Sequence, residues 1–308
     1  MTSVFELESA DRLMAGAGKT FYRAARLLPR PIRRDVVELY AFCRKVDDLA
    51  DEPARAVAER RRSLGALADA LDRGSLLELR AAGWPFAAQS VLVNAAGMLV
   101  RAAMGDLEQR QPETEAALLD YAFGVAGTVG VMMAEVLGAA PEGFGAAVAL
   151  GMAMQLSNIA RDVAEDLRQG RVYLPVQWIA ADTVRHAIDG SIPADARALR
   201  EATERVLRAA ERLYEVAYDG IWSLRWRIRW SILAAAMCYR EIGVRIGRNV
   251  KRSWRQRTVV STGRKLWLIA IAGLRLFLPR FWRRPKCPEA PILSAGVLQK
   301  IRALGLAS

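Results

Sequence analysis

Gln155-Leu156-Ser157-Asn158-Ile159-Ala160-Arg161-Asp162-Val163-Ala164-Glu165-Asp166 closes the segment Glu142 to Arg168, one of the two most apolar helical stretches of the chain. In a helix, Asn158, Asp162 and Asp166 fall at i, i+4 and i+8 and form one continuous stripe. Three oxygen-bearing side chains on an otherwise apolar helix need a cation or a cluster of donors facing them. Gln155 and Arg161 flank that stripe.

Upstream, the same segment and its predecessor Glu113 to Leu137 are rich in small residues, among them Gly124, Gly127, Gly130, Gly145 and Gly151. They also carry Val125, Ala126, Val129, Val131, Met132, Met133, Ala149, Met152 and Met154. Two readings fit this pattern. Small residues let helices pack closely, and small and methionine side chains can equally wall an oily tunnel.

A second acidic cluster, Asp47-Asp48-Leu49-Ala50-Asp51, ends the helix expected over Arg33 to Ala50. Asp47 and Asp51 share a face, although like charges four residues apart repel and helix C-termini prefer cations. A solvated acidic helix end would explain this cluster alone. Two clusters of the same form suggest instead two helices that frame a cavity with acids at its mouth. A sparse set of hard oxygen ligands suits Mg²⁺, with Mn²⁺ as an alternative, bridging to substrate phosphates. An EF-hand loop is absent, and paired glycosidase acids need two carboxyls rather than two stripes.

Helical patterning covers almost the whole chain, and runs of alternating β-branched residues are few. Helices are expected over Val4 to Ala15, Lys19 to Leu28, Arg33 to Ala50, Pro53 to Arg73, Phe86 to Met104, Glu113 to Leu137, Glu142 to Arg168, Pro193 to Tyr218, Trp222 to Val250 and Thr262 to Leu278. The fold expected is all-α, a single-domain helical bundle around a central apolar cavity. Pro279, Pro285, Pro288 and Pro291 break the end of the chain, so residues 1–286 read as the domain and 287–308 as a C-terminal tail.

The 308 residues carry a net charge of +12, concentrated late. Between Gly220 and Lys286, seventeen lysines and arginines face one acid, Glu241. Such a window suggests an anionic partner: diphosphate, lipid headgroups or nucleic acid. Arg225, Arg227 and Arg229 alternate with Trp226 and Trp230, which would suit stacked bases, but Leu266 to Trp282 reads as an interfacial helix. Contact with an anionic membrane is therefore expected and nucleic-acid binding is not. Cys43, Cys238 and Cys287 form no close pair, and His186, the single histidine, reads as a turn or surface residue. Disulfide scaffolds, zinc sites and Ser-His-Asp chemistry are thereby disfavoured. Met1 to Ala10 has no apolar core and Leu266 to Leu278 is short for a span, so a cytoplasmic protein, peripheral on the inner face of the membrane, is expected.

These residues resemble the squalene/phytoene synthase family. The resemblance runs from about Gly18 to Val260. It rests on Lys19-Thr20-Phe21, Tyr40 to Asp51, Val125 to Gly130, Gln155 to Asp166 and Gly170 to Pro175. It implies an isoprenoid synthase type I-like fold. It also implies head-to-head joining of two prenyl diphosphates through a cyclopropylcarbinyl diphosphate, with release of diphosphate. By this resemblance Asp47, Asp48, Asp51, Asn158, Asp162 and Asp166 are metal ligands. Arg44, Arg161 and Arg257 contact diphosphate, and Thr20 and Phe21 match a Ser-Phe pair near the substrate. Tyr121 and Tyr239, with Gln155, are the catalytic candidates. Val125 to Gly130 followed by Met132-Met133, and Asn158 to Pro175, look most like enzymes that join two geranylgeranyl diphosphates to phytoene. A farnesyl-using enzyme and a non-catalytic assembly protein are the alternatives. No convincing dinucleotide fingerprint is present, so NADPH is not expected. Phe123 stands where the family often has a second Tyr, and the Ser-rich run before Phe21 is reduced to Gly18-Lys19-Thr20.

Overall fold

The computed structural model describes residues 14, 19–75, 78–79, 84–86, 90–222, 224–277, 297, 299–301 and 304. Among them every regular element is helical. In chain order these are α1 (Lys19–Ala25), α2 (Arg30–Asp51), α3 (Val57–Arg73), α4 (Ser90–Asp106), α5 (Glu115–Ala122), a π-helical turn (Phe123–Gly127), α6 (Thr128–Val136), a 3₁₀ turn (Pro141–Gly143), α7 (Phe144–Arg168), α8 (Ala181–Asp189), α9 (Pro193–Ile221), α10 (Trp226–Arg248), α11 (Val250–Arg255) and α12 (Thr262–Phe277).

Local chemistry sets most boundaries. α2 begins three residues earlier than expected, because Pro31 suits the first turn of a helix and need not interrupt one. α3 begins at Val57 rather than Pro53, since residues 53–55 form a turn, and it ends where Gly74, at φ 65°, donates its N–H to the Ala70 carbonyl. Thr114 caps α5 by accepting from the Ala117 N–H at 3.2 Å. The single helix expected over Glu113 to Leu137 is interrupted by the π turn, where the Thr128 hydroxyl donates to the Gly124 carbonyl at 2.8 Å. α8 escapes the periodicity because only Val184 and Ala187 anchor it. It carries His186, whose Nδ1 lies 3.2 Å from Asp195. The basic segment after Trp222 divides into α10 and α11, with the Asn249 side chain accepting from the Arg252 N–H. The helix expected over Val4 to Ala15 lies outside the described residues apart from Met14.

α7 runs through the centre. It packs along α9 and against α6 and α10, and it is buried on most sides by Val148, Met152, Leu156, Ile159 and Val163. Glycine permits the tightest crossing. A Cβ on Gly151 would overlap the Ala126 carbonyl, and one on Gly130 would overlap the Ala147 carbonyl. The stretches Glu115–Val136 and Pro141–Arg168 are long and apolar enough to cross a membrane, but they lie together in the middle of the bundle. Val297, Ile301 and Leu304, from the segment read as a tail, are buried in the same core.

Candidate active site

An apolar cavity of about 280 Å³ opens between α2, α6, α7, α9 and α10. Tyr40, Cys43 and Asp47 reach it from one face of α2, and Gly151, Met154, Gln155 and Asn158 from one face of α7. Phe21 and Tyr239 close its side, their ring centroids 5.0 Å apart. The polar groups collect where α2 ends and α7 nears its end, and the remaining wall is almost wholly aliphatic. Of the residues expected to wall a tunnel, Val125, Ala126, Val129, Met133 and Met154 do so. Val131, Met132, Ala149 and Met152 are instead buried in the core. Tunnel and packing thus divide the two helices between them by face.

Around the mouth, acids and arginines interlock. Arg161 donates to Asp162 at 2.9 Å, and Arg257 donates to the same carboxylate at 2.9 and 3.3 Å. Arg171 pairs with Asp51 at 2.7 Å and lies 3.8 Å from Asp106, joining the end of α2 to the end of α4. The Tyr173 hydroxyl donates to Asp106 at 2.8 Å, and Tyr121 stacks on Tyr173 at 4.8 Å. Arg44 pairs with Asp48 at 2.6 Å within α2.

These contacts set the charge states. Burial pushes the Asp47 carboxyl up to about 7, with Asp51 and Asp48 adding to the rise and Arg44 opposing it, although the side chain keeps solvent contact at the mouth. Burial and the neighbouring Asp162 also push Asp166 up to about 7. Burial would raise Asp162 too, but its bonds to Arg161 and Arg257 hold it below the usual carboxylate range. Burial lifts the Tyr239 hydroxyl to about 12 despite nearby Arg161.

Comparison with known proteins agrees with this arrangement. The family model for squalene/phytoene synthase matches residues 14–264. A 15-cis-phytoene synthase from Paracoccus sp. is 37% identical over 281 residues, covering 87% of this chain and 90% of that protein. The chain belongs to the squalene/phytoene synthase family. A phytoene synthase from Rhodobacter capsulatus is 34% identical over 287 residues, covering 89% of this chain and 83% of that protein. The crystal structure of a dehydrosqualene synthase in complex with ligand superposes with a TM-score of 0.69 at 27% identity, covering 88% of this chain and 96% of that one.

In this member of the squalene/phytoene synthase family, five of the candidate residues line one cavity. Phe21, Asp47, Gln155, Asn158 and Tyr239 line it. The charges of Arg161, Asp162 and Arg257 act on Tyr239 of its wall, and Asp166 lies beyond them, under the charges of Asp162, Arg171 and Asp106. Asp48 does not line the cavity and is held by Arg44. Tyr121 faces a neighbouring cleft of about 450 Å³ with Asp106, Tyr173 and Gln111 rather than the cavity itself. The Thr20 side chain lies outside the described residues. Sequence reasoning did not single out Asp106, Arg171, Tyr173, Tyr40 or Cys43. Arg171 and Tyr173 stand in the Gly170 to Pro175 motif, and Tyr40 and Cys43 in the Tyr40 to Asp51 motif, but no local signal marks Asp106.

The donor set suits a divalent cation. The Asn158 Oδ1 is buried with no hydrogen-bond partner among the described residues, and so is the Arg171 Nε. An orphaned acceptor and an orphaned donor at one polar mouth match a cation and an anion bound side by side. Among the described residues no three acid, histidine or cysteine side chains already converge at metal-binding distance. Guanidinium groups of Arg171 and Arg257 pair with Asp51 and Asp162.

Proposed function

We propose that this chain is a phytoene synthase, joining two geranylgeranyl diphosphates head to head through prephytoene diphosphate and releasing diphosphate, in carotenoid biosynthesis. Family membership and relatives named phytoene synthase support the reaction class. The observation that carries it is the opening of Asp47 on α2 and Asn158 on α7 onto one long aliphatic cavity. Diphosphate would lie at the acid end and prenyl tails along the wall.

Asp47, Asp51, Asn158, Asp162 and Asp166, with Asp48 at the rim, would hold Mg²⁺ or Mn²⁺, which supplies positive charge against a departing diphosphate. With Asp47 and Asp166 raised to about 7, the carboxyls of Asp47, Asp48, Asp51, Asp106, Asp162 and Asp166 still offset the guanidinium groups of Arg44, Arg161, Arg171 and Arg257, so without cations the mouth would offer a diphosphate little net attraction. Arg161, Arg171 and Arg257 exchange a carboxylate for diphosphate oxygens as substrate enters. Gln155 accepts from the Asn158 amide at 3.4 Å.

In the first half-reaction the allylic C–O bond of one substrate breaks and its diphosphate leaves with the electron pair. The double bond of the second substrate attacks the allylic cation, and proton loss closes the cyclopropane ring. In the second half-reaction the remaining C–O bond ionises, the ring rearranges and a further proton is lost to form the central double bond. No reductant is consumed. Tyr239, lifted to about 12 by burial, keeps its proton near neutral pH. That supports released diphosphate as the base, with Tyr239 and Phe21 shielding the cation from water.

The lipid substrate and product suit a protein on the inner face of the membrane. The α12 face formed by Leu266, Trp267, Ala270 and Leu274 is exposed, with Leu266, Trp267 and Leu274 each at least half open. Arg264 lies 4.1 Å over the Trp267 ring. An apolar stripe with an aromatic and flanking cations fits anionic headgroups.

Incubating purified protein with farnesyl or geranylgeranyl diphosphate, with and without Mg²⁺, tests the activity. A forty-carbon hydrocarbon from geranylgeranyl diphosphate, formed only with the cation, is expected. A product from farnesyl diphosphate alone would move the assignment to the squalene branch, and no product from either would overturn it.

A further inference from the structure

We infer that Ala146 and Ala147, where α7 passes the end of α9, hold the last isoprene unit of the tail and so select the geranylgeranyl over the farnesyl chain. This rests on the prenyl-joining activity proposed above. Both alanines line the cavity, together with Gly220 and Ala217 of α9. The helices meet closely here, since a Cβ on Gly220 would overlap that of Ala146.

The acid end and these alanines lie on the same helix, which makes α7 a ruler. At a rise of about 1.5 Å per residue, Ala147 stands about 16 Å and Ala146 about 18 Å below Asn158. An extended chain advances about 1.25 Å per bond when C–C bonds are about 1.5 Å long, so a farnesyl backbone ends about 14 Å from its first carbon and a geranylgeranyl backbone about 19 Å. A first carbon level with Asn158, or about one helical turn (~5 Å) deeper, places the final isoprene of the longer chain beside Ala146 and Ala147 or just past them. The second wall agrees. Val36 lines the far part of the cavity eleven residues, or about 16 Å, before Asp47 on α2. The missing side chain at Gly220 admits the Ala146 methyl, and the small side chains of Ala146, Ala147 and Ala217 leave the width that the extra unit needs. Larger residues would shorten the cavity without touching its mouth.

Ala146→Leu and Ala147→Met test this, the second because a flexible side chain can fill the space with less strain on the α7–α9 contact. Specificity constants for farnesyl and geranylgeranyl diphosphate are measured on the full chain, with thermal unfolding as the check of folding. The expected result is a shift of the farnesyl-to-geranylgeranyl ratio by about 100-fold towards farnesyl in at least one folded variant, the scale on which apolar pockets discriminate a few methylenes. Equal losses for both substrates, an unchanged ratio, or failure of both variants to fold would overturn the inference by making these alanines packing residues alone. Parent protein inactive on both substrates would instead sink the activity on which it rests.

Discussion

Asn158→Leu is expected to make the protein more stable and far less active. The Asn158 Oδ1 is buried without a donor among the described residues, and the amide makes one long bond, 3.4 Å, to Gln155. An uncompensated buried acceptor costs about 1–3 kcal/mol, whereas so long a bond returns little. Leucine is similar in shape though larger, and the cavity gives it room beside Met154, one turn back on α7, and Tyr239 of α10. The net gain should be about 1 kcal/mol, which for a chain of this size raises Tm by about 2 °C. Activity should move the other way. Losing one ligand to a charge-stabilising group at the reacting diphosphate costs about 10²–10³ in turnover. The assays are thermal unfolding without divalent cations and extraction of the hydrocarbon product with them. A structural asparagine would lose stability and activity together. A fall in Tm of 2 °C or more, or turnover within about tenfold of the parent, would refute the reasoning.

Glu241 is buried on α10 and accepts from Arg245 and Arg264 at 3.1 Å, tying α12 to the bundle. Glu241→Gln should cost about 2 kcal/mol at neutral pH, read by chemical denaturation. The two arginines overcome burial and hold its carboxyl below the usual glutamate value of 4.5. That stabilisation is therefore fully present above 4.5 and lost as pH falls through the lowered folded-state value, so variant and parent should converge only in acid. Gly151→Ala would drive a Cβ into the Ala126 carbonyl and should cost about 3 kcal/mol or prevent folding, seen as loss of soluble, cooperatively unfolding protein. Leu266→Glu with Trp267→Glu should abolish co-sedimentation with anionic vesicles while turnover of detergent-dispersed substrate is kept; unchanged sedimentation would remove α12 from the membrane contact.

The sequence carried the helices well because hydrophobic periodicity is local, and the helix expected to end at Arg73 does end there, before Gly74; Pro31 in a first turn and Thr114 as a cap were missed, which displaced two helix starts by two or three residues. It misjudged elements whose cues are tertiary. α8 has two buried residues in nine, too few for a period to show. The π turn between α5 and α6 is stabilised by a Thr128 to Gly124 bond that no hydropathy pattern records. The site divides in the same way. Asn158, Asp162 and Asp166 were legible because they recur every fourth residue on one helix. Asp106 was not, because its partners Tyr173 and Arg171 lie more than sixty residues away. Asp47 and Asp48 are adjacent, and the sequence already set Asp47 on one face with Asp51 and Asp48 apart from them. Helical geometry turns Asp47 to the cavity with Tyr40 and Cys43 and leaves Asp48 to Arg44.

The mouth is also where this chain most departs from what folding alone would favour. Asp47 and Asp51 sit at a helix C-terminus, where the backbone dipole repels them. Asp166 is half-buried near two further carboxylates, and Asn158 hides an oxygen with no donor among the described residues. Each feature destabilises the ligand-free protein, and Arg161, Arg171 and Arg257 only partly offset it. A sequence whose other levels agree with one another tolerates such a cluster when a ligand repays it. Phosphate oxygens bridged by divalent cations would satisfy the carboxylates, the arginines and the orphaned Asn158 oxygen together. A single metal ion without diphosphate would leave the arginines competing for the same acids. Cation and diphosphate should therefore bind with positive coupling, each raising the affinity for the other, as calorimetric titration of one in the presence and absence of the other would show. Equal cation affinity with and without diphosphate would mean that the arginines do not leave the acids, and the exchange at the mouth would be wrong.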